Sequence, residues 1–299
     1  MSKNGSYRHE SVLLNESVDL LVTDPHGVYV DVTFGGGGHS KLILSRLSDR
    51  GRLIAFDRDG TVEHILPEDS RFTFIHADFR YLKKYLRYYK VECIHGILAD
   101  LGLSSHHLDT AERGFSYFSM MPLDMRMNKQ QRLTAATVLQ TYPEKQLIRI
   151  FSEYGELTNA KQIVAALLRE RQQRSFVSCQ DFSNWIDRFA YGKKLRFLAQ
   201  AFQAIRMEVN HEMDSLESLL EQGSEKLISG GRMVVISYHS LEDRLVKQWF
   251  KSGMKKEKDF ENSVSPFRPL VKHAIQPGED EIKLNSRSRS AKMRVAVKQ

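Results

Sequence analysis

Short apolar runs alternate with amphipathic stretches over the first third of the chain. Val28-Tyr29-Val30-Asp31-Val32 has the length and composition of a buried strand, and residues 40–47 carry apolar positions at helical spacing. Arg52-Leu53-Ile54-Ala55-Phe56-Asp57 predicts a second strand, residues 71–76 a third, and Ile94-His95-Gly96-Ile97-Leu98-Ala99-Asp100 a fourth. Strands alternating with helices predict βαβ units in a parallel sheet. Ligands of such sheets sit outside the carboxyl ends of the strands, where these runs end in Gly, Asp or Phe.

The pattern then changes. Between about residues 105 and 206 no convincing strand appears, and helices are expected over 143–151, 160–170 and 179–189. A single long helix over 195–220 would carry the chain back to the sheet. There Gly230-Gly231-Arg232-Met233-Val234-Val235-Ile236-Ser237 reads as a turn and a strand, and 291–297 as a final strand. Residues 251–285 read as a charged, irregular and mobile loop. The expected architecture is therefore α/β, with residues 1–104 and 207–299 forming the core and 105–206 an all-helical insertion.

Composition excludes several classes. The chain has 299 residues and is 41% hydrophobic and 27% charged, within the ordinary globular range. No run approaches the length of a membrane span, and the N-terminal residues have no apolar segment that would act as a secretory signal. Two isolated cysteines, Cys93 and Cys179, form neither a disulfide framework nor a zinc motif. A reduced compartment, the cytoplasm, is expected. The net charge of +7 favours a polyanionic partner without establishing one. Basic residues crowd two places: Arg169, Arg171 and Arg174, and then Arg287, Arg289, Lys292, Arg294 and Lys298.

The strongest local signal is Thr33-Phe34-Gly35-Gly36-Gly37-Gly38-His39-Ser40, which follows the first strand and opens a helix. Glycine permits positive φ and close approach of a ligand, and a helix start presents N–H groups. Four consecutive glycines cost more backbone entropy than a simple turn requires. The dinucleotide fingerprint needs a third glycine three places after the second, where this chain has Ser40 or Lys41. A pyrophosphate is thus disfavoured against a cofactor with a zwitterionic amino-acid end. Asp57, ending the second strand, stands where a carboxylate accepts ribose hydroxyls, or caps the next helix. Asp78-Phe79 places an acceptor and an aromatic face where an adenine would lie, and Asp100 closes the fourth strand. The adjacent His106 and His107 lack a third ligand, so no metal is expected.

These segments, taken together, resemble the bacterial rRNA cytosine-N4 methyltransferase family called RsmH or MraW. The resemblance also rests on Tyr7-Arg8-His9-Glu10-Ser11-Val12-Leu13-Leu14, Asp100-Leu101-Gly102-Leu103-Ser104-Ser105 and Ala111-Glu112-Arg113-Gly114-Phe115-Ser116. Further matches are Pro122-Leu123-Asp124-Met125-Arg126-Met127, Phe202-Gln203-Ala204-Ile205-Arg206, the segment around Ser237-Tyr238-His239-Ser240, and Arg287-Ser288-Arg289-Ser290. The ordered set spans nearly the whole chain.

The resemblance implies a Rossmann-like methyltransferase core with a mostly parallel seven-stranded sheet. It implies S-adenosylmethionine as cofactor, bound by Gly37, Gly38, His39, Asp57, Phe79, Asp100 and His107. The substrate it implies is a cytosine in the decoding region of small-subunit rRNA, free or in the assembled 30S subunit, with a homodimer left open. His107 stands where the family usually has Gln, Ala199-Gln200 replaces a Thr-Arg pair, and Leu157-Thr158-Asn159 replaces a Glu-Arg-Phe run.

Chemistry assigns further roles. An exocyclic cytosine amine is a poor nucleophile, because its lone pair is conjugated into the ring; an acceptor must orient it and take its proton. Asp100 is the first candidate and Asp124 the second, with Tyr238 stacking on the base and His239 beside it. Arg113, Arg126, Arg206, Arg287 and Arg289 are expected to hold RNA phosphates. Two other classes compete. A nicotinamide-dependent oxidoreductase is opposed by the missing glycine, and a non-catalytic RNA-binding protein by the retained cofactor positions.

Overall fold

Val, Ile, Leu and Phe dominate the strand runs, because parallel strands are covered on both faces. In the computed structural model, which describes residues 11–103, 110–253 and 265–299, these runs form one seven-stranded sheet. Its strands are β1 (Val28–Asp31), β2 (Arg52–Asp57), β3 (Phe72–His76), β4 (Ile94–Asp100), β5 (Leu227–Ser237), β6 (Phe267–Pro269) and β7 (Lys292–Lys298). The order is β3-β2-β1-β4-β5-β7-β6. The pairs β2–β3, β1–β2, β1–β4 and β4–β5 are parallel, whereas β7 runs antiparallel to both β5 and β6. Register aligns Asp31 with Ala55 and Leu98, Asp57 with His76, and Asp100 with Ile236. The carboxyl ends of β1, β2 and β4 therefore present an aspartate each along one edge.

The chain divides into two compact units, Met1–Gly102 with Asp214–Gln299, and Leu103–Met213. In the first, Val18 and Leu21 of helix α1 (Leu14–Leu21) and Ile43 and Leu44 of α2 (Gly38–Arg46) join Tyr29, Leu53, Leu98 and Val234 in the core. Helix α3 (Leu82–Tyr88) buries Leu82 and Leu86.

Among its described residues the second unit has helices and no strand, with an irregular stretch over 114–134 and an isolated bridge between Pro122 and Ser178. It contains α4 (Ala135–Thr141), α5 (Glu144–Arg149), a wider turn at Ile150–Tyr154, α6 (Ala160–Glu170), α7 (Cys179–Asp187) and α8 (Lys194–Val209). Thr134 and Ser178 cap α4 and α7 by accepting the amides of Thr137 and Asp181. The core gathers Phe151, Ile163, Ile186 and Leu198 around an aromatic group. Phe182 lies 5.2 Å from Phe176, 6.0 Å from Trp185 and 5.6 Å from Phe202 between ring centres.

Two expectations need correction. The helix expected over 195–220 is two helices, α8 and α9 (Glu212–Lys226). Asn210 interrupts it: its buried amide accepts from Met127 N at 2.8 Å and donates to the carbonyls of Met125 and Arg206. His211 follows in the left-handed region at φ 50°, where a helix cannot continue. The loop expected over 251–285 contains β6 and a short helix at Glu279–Leu284, while 254–264 lie outside the described residues. Phe267 holds β6 in place by packing on Phe250 at 5.5 Å. A three-residue strand is too short to show a period.

Phe182→Ala empties the centre of the helical unit. It is expected to lower the unfolding free energy by about 3–5 kcal/mol, read from urea denaturation followed by circular dichroism. A loss below about 1 kcal/mol would show that the aromatic cluster does not organise this core.

Candidate active site

The glycine loop is held from beneath by carboxylates. Asp31, fully buried at the end of β1, accepts the Ser40 hydroxyl at 2.6 Å and the Thr33 amide at 3.1 Å, tying together the two ends of the loop. Burial raises its carboxyl above the usual range. Asp57 accepts the Gly35 amide at 2.8 Å on one oxygen and the Asp59 amide at 2.8 Å on the other. It therefore supports the loop and the following turn. A carboxylate offers about four acceptor positions, so this does not preclude hydroxyl donors as well.

Gly37 caps α2 at φ 75°, with its missing Cβ site 2.8 Å from the Phe34 ring. Phe34 is buried against Phe72 and Phe74. Among the described residues nothing lies within 4 Å of where a Cβ on Gly36 would stand. The loop is thus braced on one side and open on the other.

Asp100 is the centre of the second cluster. Its amide donates to the Thr33 hydroxyl at 2.7 Å, and its Oδ1 accepts the Tyr238 hydroxyl at 2.8 Å. Gly102 permits this approach, since a Cβ there would stand 2.8 Å from the Tyr238 ring. His39 is buried, with Nε2 3.1 Å from the Val12 carbonyl and Nδ1 3.9 Å from Asp100 Oδ2. Burial pushes the Asp100 carboxyl above the usual carboxylate range, against the opposing pulls of His39, Tyr238 and the Gly102 amide, with the charge of Glu242 adding to the rise. Burial, and then the Asp100 charge, push the Tyr238 phenol well above its ordinary value, so it remains a donor.

His239 caps α10 (Ser240–Ser252), its Nδ1 accepting the Glu242 amide at 3.4 Å. Its Nε2 lies 3.1 Å from Glu242 Oε1 but out of hydrogen-bond alignment. The other oxygen of Glu242 accepts the Tyr238 amide at 2.9 Å. His239 therefore acts on Tyr238 through the helix start. Phe79 is buried, with the Arg58 guanidinium 5.4 Å from its ring centre. Although burial pushes Asp78 up, Arg58 and Arg80 hold it below the usual carboxylate range. His107 lies outside the described residues.

The arginines expected to meet RNA divide sharply. Arg113 is only 2% exposed and donates to the carbonyls of Arg126 and Met127, at 3.2 and 2.7 Å. It braces the helical unit from inside, which corrects its reading as a phosphate contact. Arg126 and Asp124 form a fork with two bonds of 2.7 Å, and Arg126 also donates to the carbonyls of Lys129 and Gln131. Burial works against it, but Arg126 holds the Asp124 carboxyl low, making this a scaffold pair. Arg206 is forked onto Glu212 at 2.8 and 2.9 Å. Arg171 donates to the Tyr142 carbonyl, and Arg174 pairs with Glu170 and Asp181. Arg294 and Lys292 pair with Asp243. Arg287 and Arg289 stand exposed on a single turn at Ser286–Ser290.

Sequence reasoning passed over Asp31, Thr33, Ser40 and Glu242. Asp31 had a visible signal, because it ends an apolar run as Asp57 and Asp100 do. Ser40 reaches Asp31 across the nine-residue span of the loop, Thr33 meets Asp100 across 67 residues, and Glu242 acts through a helix turn, contacts that leave no local pattern.

Known proteins bear on this arrangement. The model of the MraW methylase family matches residues 6–299. Ribosomal RNA small subunit methyltransferase H of Phocaeicola vulgatus is 48% identical over 303 residues, covering all of both chains. The protein of the same name from Bacteroides thetaiotaomicron is also 48% identical over 303 residues and covers all of both chains. That of Flavobacterium psychrophilum is 51% identical over 292 residues, covering 96% of this chain and all of its own.

The raised Asp100 carboxyl fixes the sign of a pH effect. Its folded pKa exceeds the unfolded value, so the folded state holds the extra proton. The wild type therefore loses stability as pH rises from the ordinary Asp value near 4 through the raised one. Asp100→Asn escapes that loss. Its unfolding free energy relative to wild type is expected to climb as pH rises above about 4, measured by urea titration. A difference that stays flat would refute a raised carboxyl at this position.

Proposed function

The chain belongs to the MraW methylase family, and from that premise we propose that it methylates the N4 amine of a cytosine in the decoding region of small-subunit rRNA. The observation that carries this reading is the half-buried Asp100–Tyr238 hydrogen bond at the end of β4, beside the glycine loop.

The residues present fit S-adenosylmethionine. Asp31, Asp57, Asp78 and Asp100 lie at or just beyond the ends of four adjacent strands, an acidic edge that suits a cofactor bearing a sulfonium and an ammonium. The same edge repels a pyrophosphate, which disfavours the nicotinamide alternative. Gly37 and Gly38 with His39 would hold the amino-acid end, Asp57 the ribose, and Phe79 the adenine. When bound, the cofactor supplies an electrophilic methyl carbon on sulfur.

Asp100 accepts an N4 proton and so directs the nitrogen lone pair out of conjugation. Transfer of that methyl group to the amine would leave the cofactor as a neutral thioether and release one proton, which a group on this chain must take up. Asp100, with its raised pKa, is suited to hold that proton. Tyr238 keeps one carboxylate oxygen engaged and thereby fixes the orientation of the other. His239 and Glu242 are positioning residues for Tyr238. Asp124 is held low by Arg126 and serves as scaffold. Arg287 and Arg289 hold phosphates, and the helical unit is the RNA substrate domain. Among the described residues no helix is long and apolar enough to cross a membrane, and the cytoplasm is the expected setting.

Incubation with methyl-labelled S-adenosylmethionine and small subunits, or their rRNA, is expected to place label in N4-methylcytidine. Asp100→Asn should lower kcat, measured at saturating cofactor, by roughly 10²–10⁴. Label in a different nucleoside, or none in RNA, would overturn the assignment. Gly37→Ala puts a Cβ in the left-handed region against Phe34, at about 1–3 kcal/mol. Its cofactor Kd, read by calorimetry, is expected to rise about tenfold or more, and an unchanged Kd would separate this loop from the cofactor.

A further inference from the structure

The segment Arg80-Tyr81-Leu82-Lys83-Lys84-Tyr85-Leu86-Arg87-Tyr88-Tyr89-Lys90 contains five basic residues, four tyrosines and no acid. It supplies +5 in a chain whose net charge is +7. Its helix α3 separates these residues by face. Leu82 and Leu86 are buried, and Tyr85 packs edge-on against Phe56 at 5.8 Å. The opposite face carries Lys84 and Arg87 at its centre, with Tyr81 and Tyr88 along one margin. Tyr88 is 76% exposed and Tyr81 50%.

Two charges of the segment are partnered: Arg80 pairs with Asp78, and Lys83 with Glu225. Among the described residues, Lys84, Arg87 and Lys90 have no carboxylate partner. The helix start is fixed, because Gln222 accepts the Lys83 amide at 2.8 Å and donates to the Arg80 carbonyl at 2.6 Å. The platform is thus anchored while its outward charges stay uncompensated.

We propose that this face is a second RNA-contacting surface, on the cofactor unit itself, gripping the phosphates of an rRNA strand with Lys84, Arg87 and Lys90 and stacking an unpaired base on Tyr88. The inference rests on the reading that the substrate is rRNA. A solvated helix face normally interleaves acids with its bases, whereas this one has none. Exposed tyrosine beside cations is the composition that binds single-stranded nucleic acid, by stacking and charge together. A membrane surface would instead need apolar residues on the outward face, and here the leucines point inward.

The test uses the full chain and small-subunit rRNA, with methylation and binding measured at several salt concentrations. In the triple variant Lys84→Ala, Arg87→Ala, Lys90→Ala, KM for RNA is expected to rise about tenfold with kcat within twofold. The slope of log affinity on log salt should flatten by about two to three, from roughly 0.7–0.9 per lost phosphate contact. Tyr88→Ala should weaken binding about fivefold or more without changing that slope. The charge-conserving pair Lys84→Arg, Arg87→Lys should restore the slope, and thermal melts should match wild type throughout. Wild type that fails to methylate any RNA would sink the proposed function. Wild type that methylates normally, beside a triple variant with unchanged KM and slope, overturns this surface alone. Binding of an acidic protein lost in the variant, with RNA affinity intact, would do the same.

Discussion

Asp57 accepts the Gly35 amide and Asp31 accepts the Ser40 hydroxyl, so the glycine loop is strung between two carboxylates that belong to adjacent strands. Everything else at this edge depends on that suspension. Four glycines in a row have little conformational preference of their own, and a free loop of this kind would lose entropy on binding any ligand. Here the ordering occurs during folding. The strand register sets Asp31 opposite Ala55, with Asp57 two residues further along β2, and the hydrogen bonds to the loop follow from it. The cost is visible in Asp31, whose carboxyl is pushed up by its own burial. Sites commonly retain such a burden where geometry matters more than stability.

The same edge separates its acids by environment. Asp78 sits between two guanidiniums and is held ionised, whereas Asp100, with a phenol and a distant imidazole as neighbours, is pushed the other way. Carboxylates of identical intrinsic chemistry thus acquire different proton affinities. Of the two raised carboxyls, Asp31 is committed to the glycine loop, whereas Asp100 engages a phenol that keeps its own proton.

Much of this was legible in the residues. The strands β2 and β4 have the expected bounds, because buried parallel strands announce themselves as continuous apolar runs ending in Asp. Asp57 and Asp100 were visible for the same reason. The break at Asn210 was hidden, because asparagine is tolerated in a helix unless its side chain has a distant use, and its partners lie some 83 residues away. The arginines were the hardest to read. Arg113, Arg126 and Arg287 look alike in a sequence, yet one is buried, one is forked onto a neighbour and one is exposed. Which of these an arginine becomes depends on long-range packing, which the local pattern does not encode.

The Asp100–Tyr238 hydrogen bond joins residues 138 positions apart. Strands β4 and β5 are neighbours in the sheet, but the whole helical unit is synthesised between them. At about 5–20 residues per second, a nascent chain carries Asp100 for roughly 7 to 28 s before Tyr238 is added. During that interval β4 has an unpaired edge, and its aspartate has neither phenol nor shelter. Prior folding of the intervening helices shortens the effective tether and lowers the entropy of closing it. The two halves of this hydrogen bond thus meet late in biogenesis, only after the intervening helices have been made.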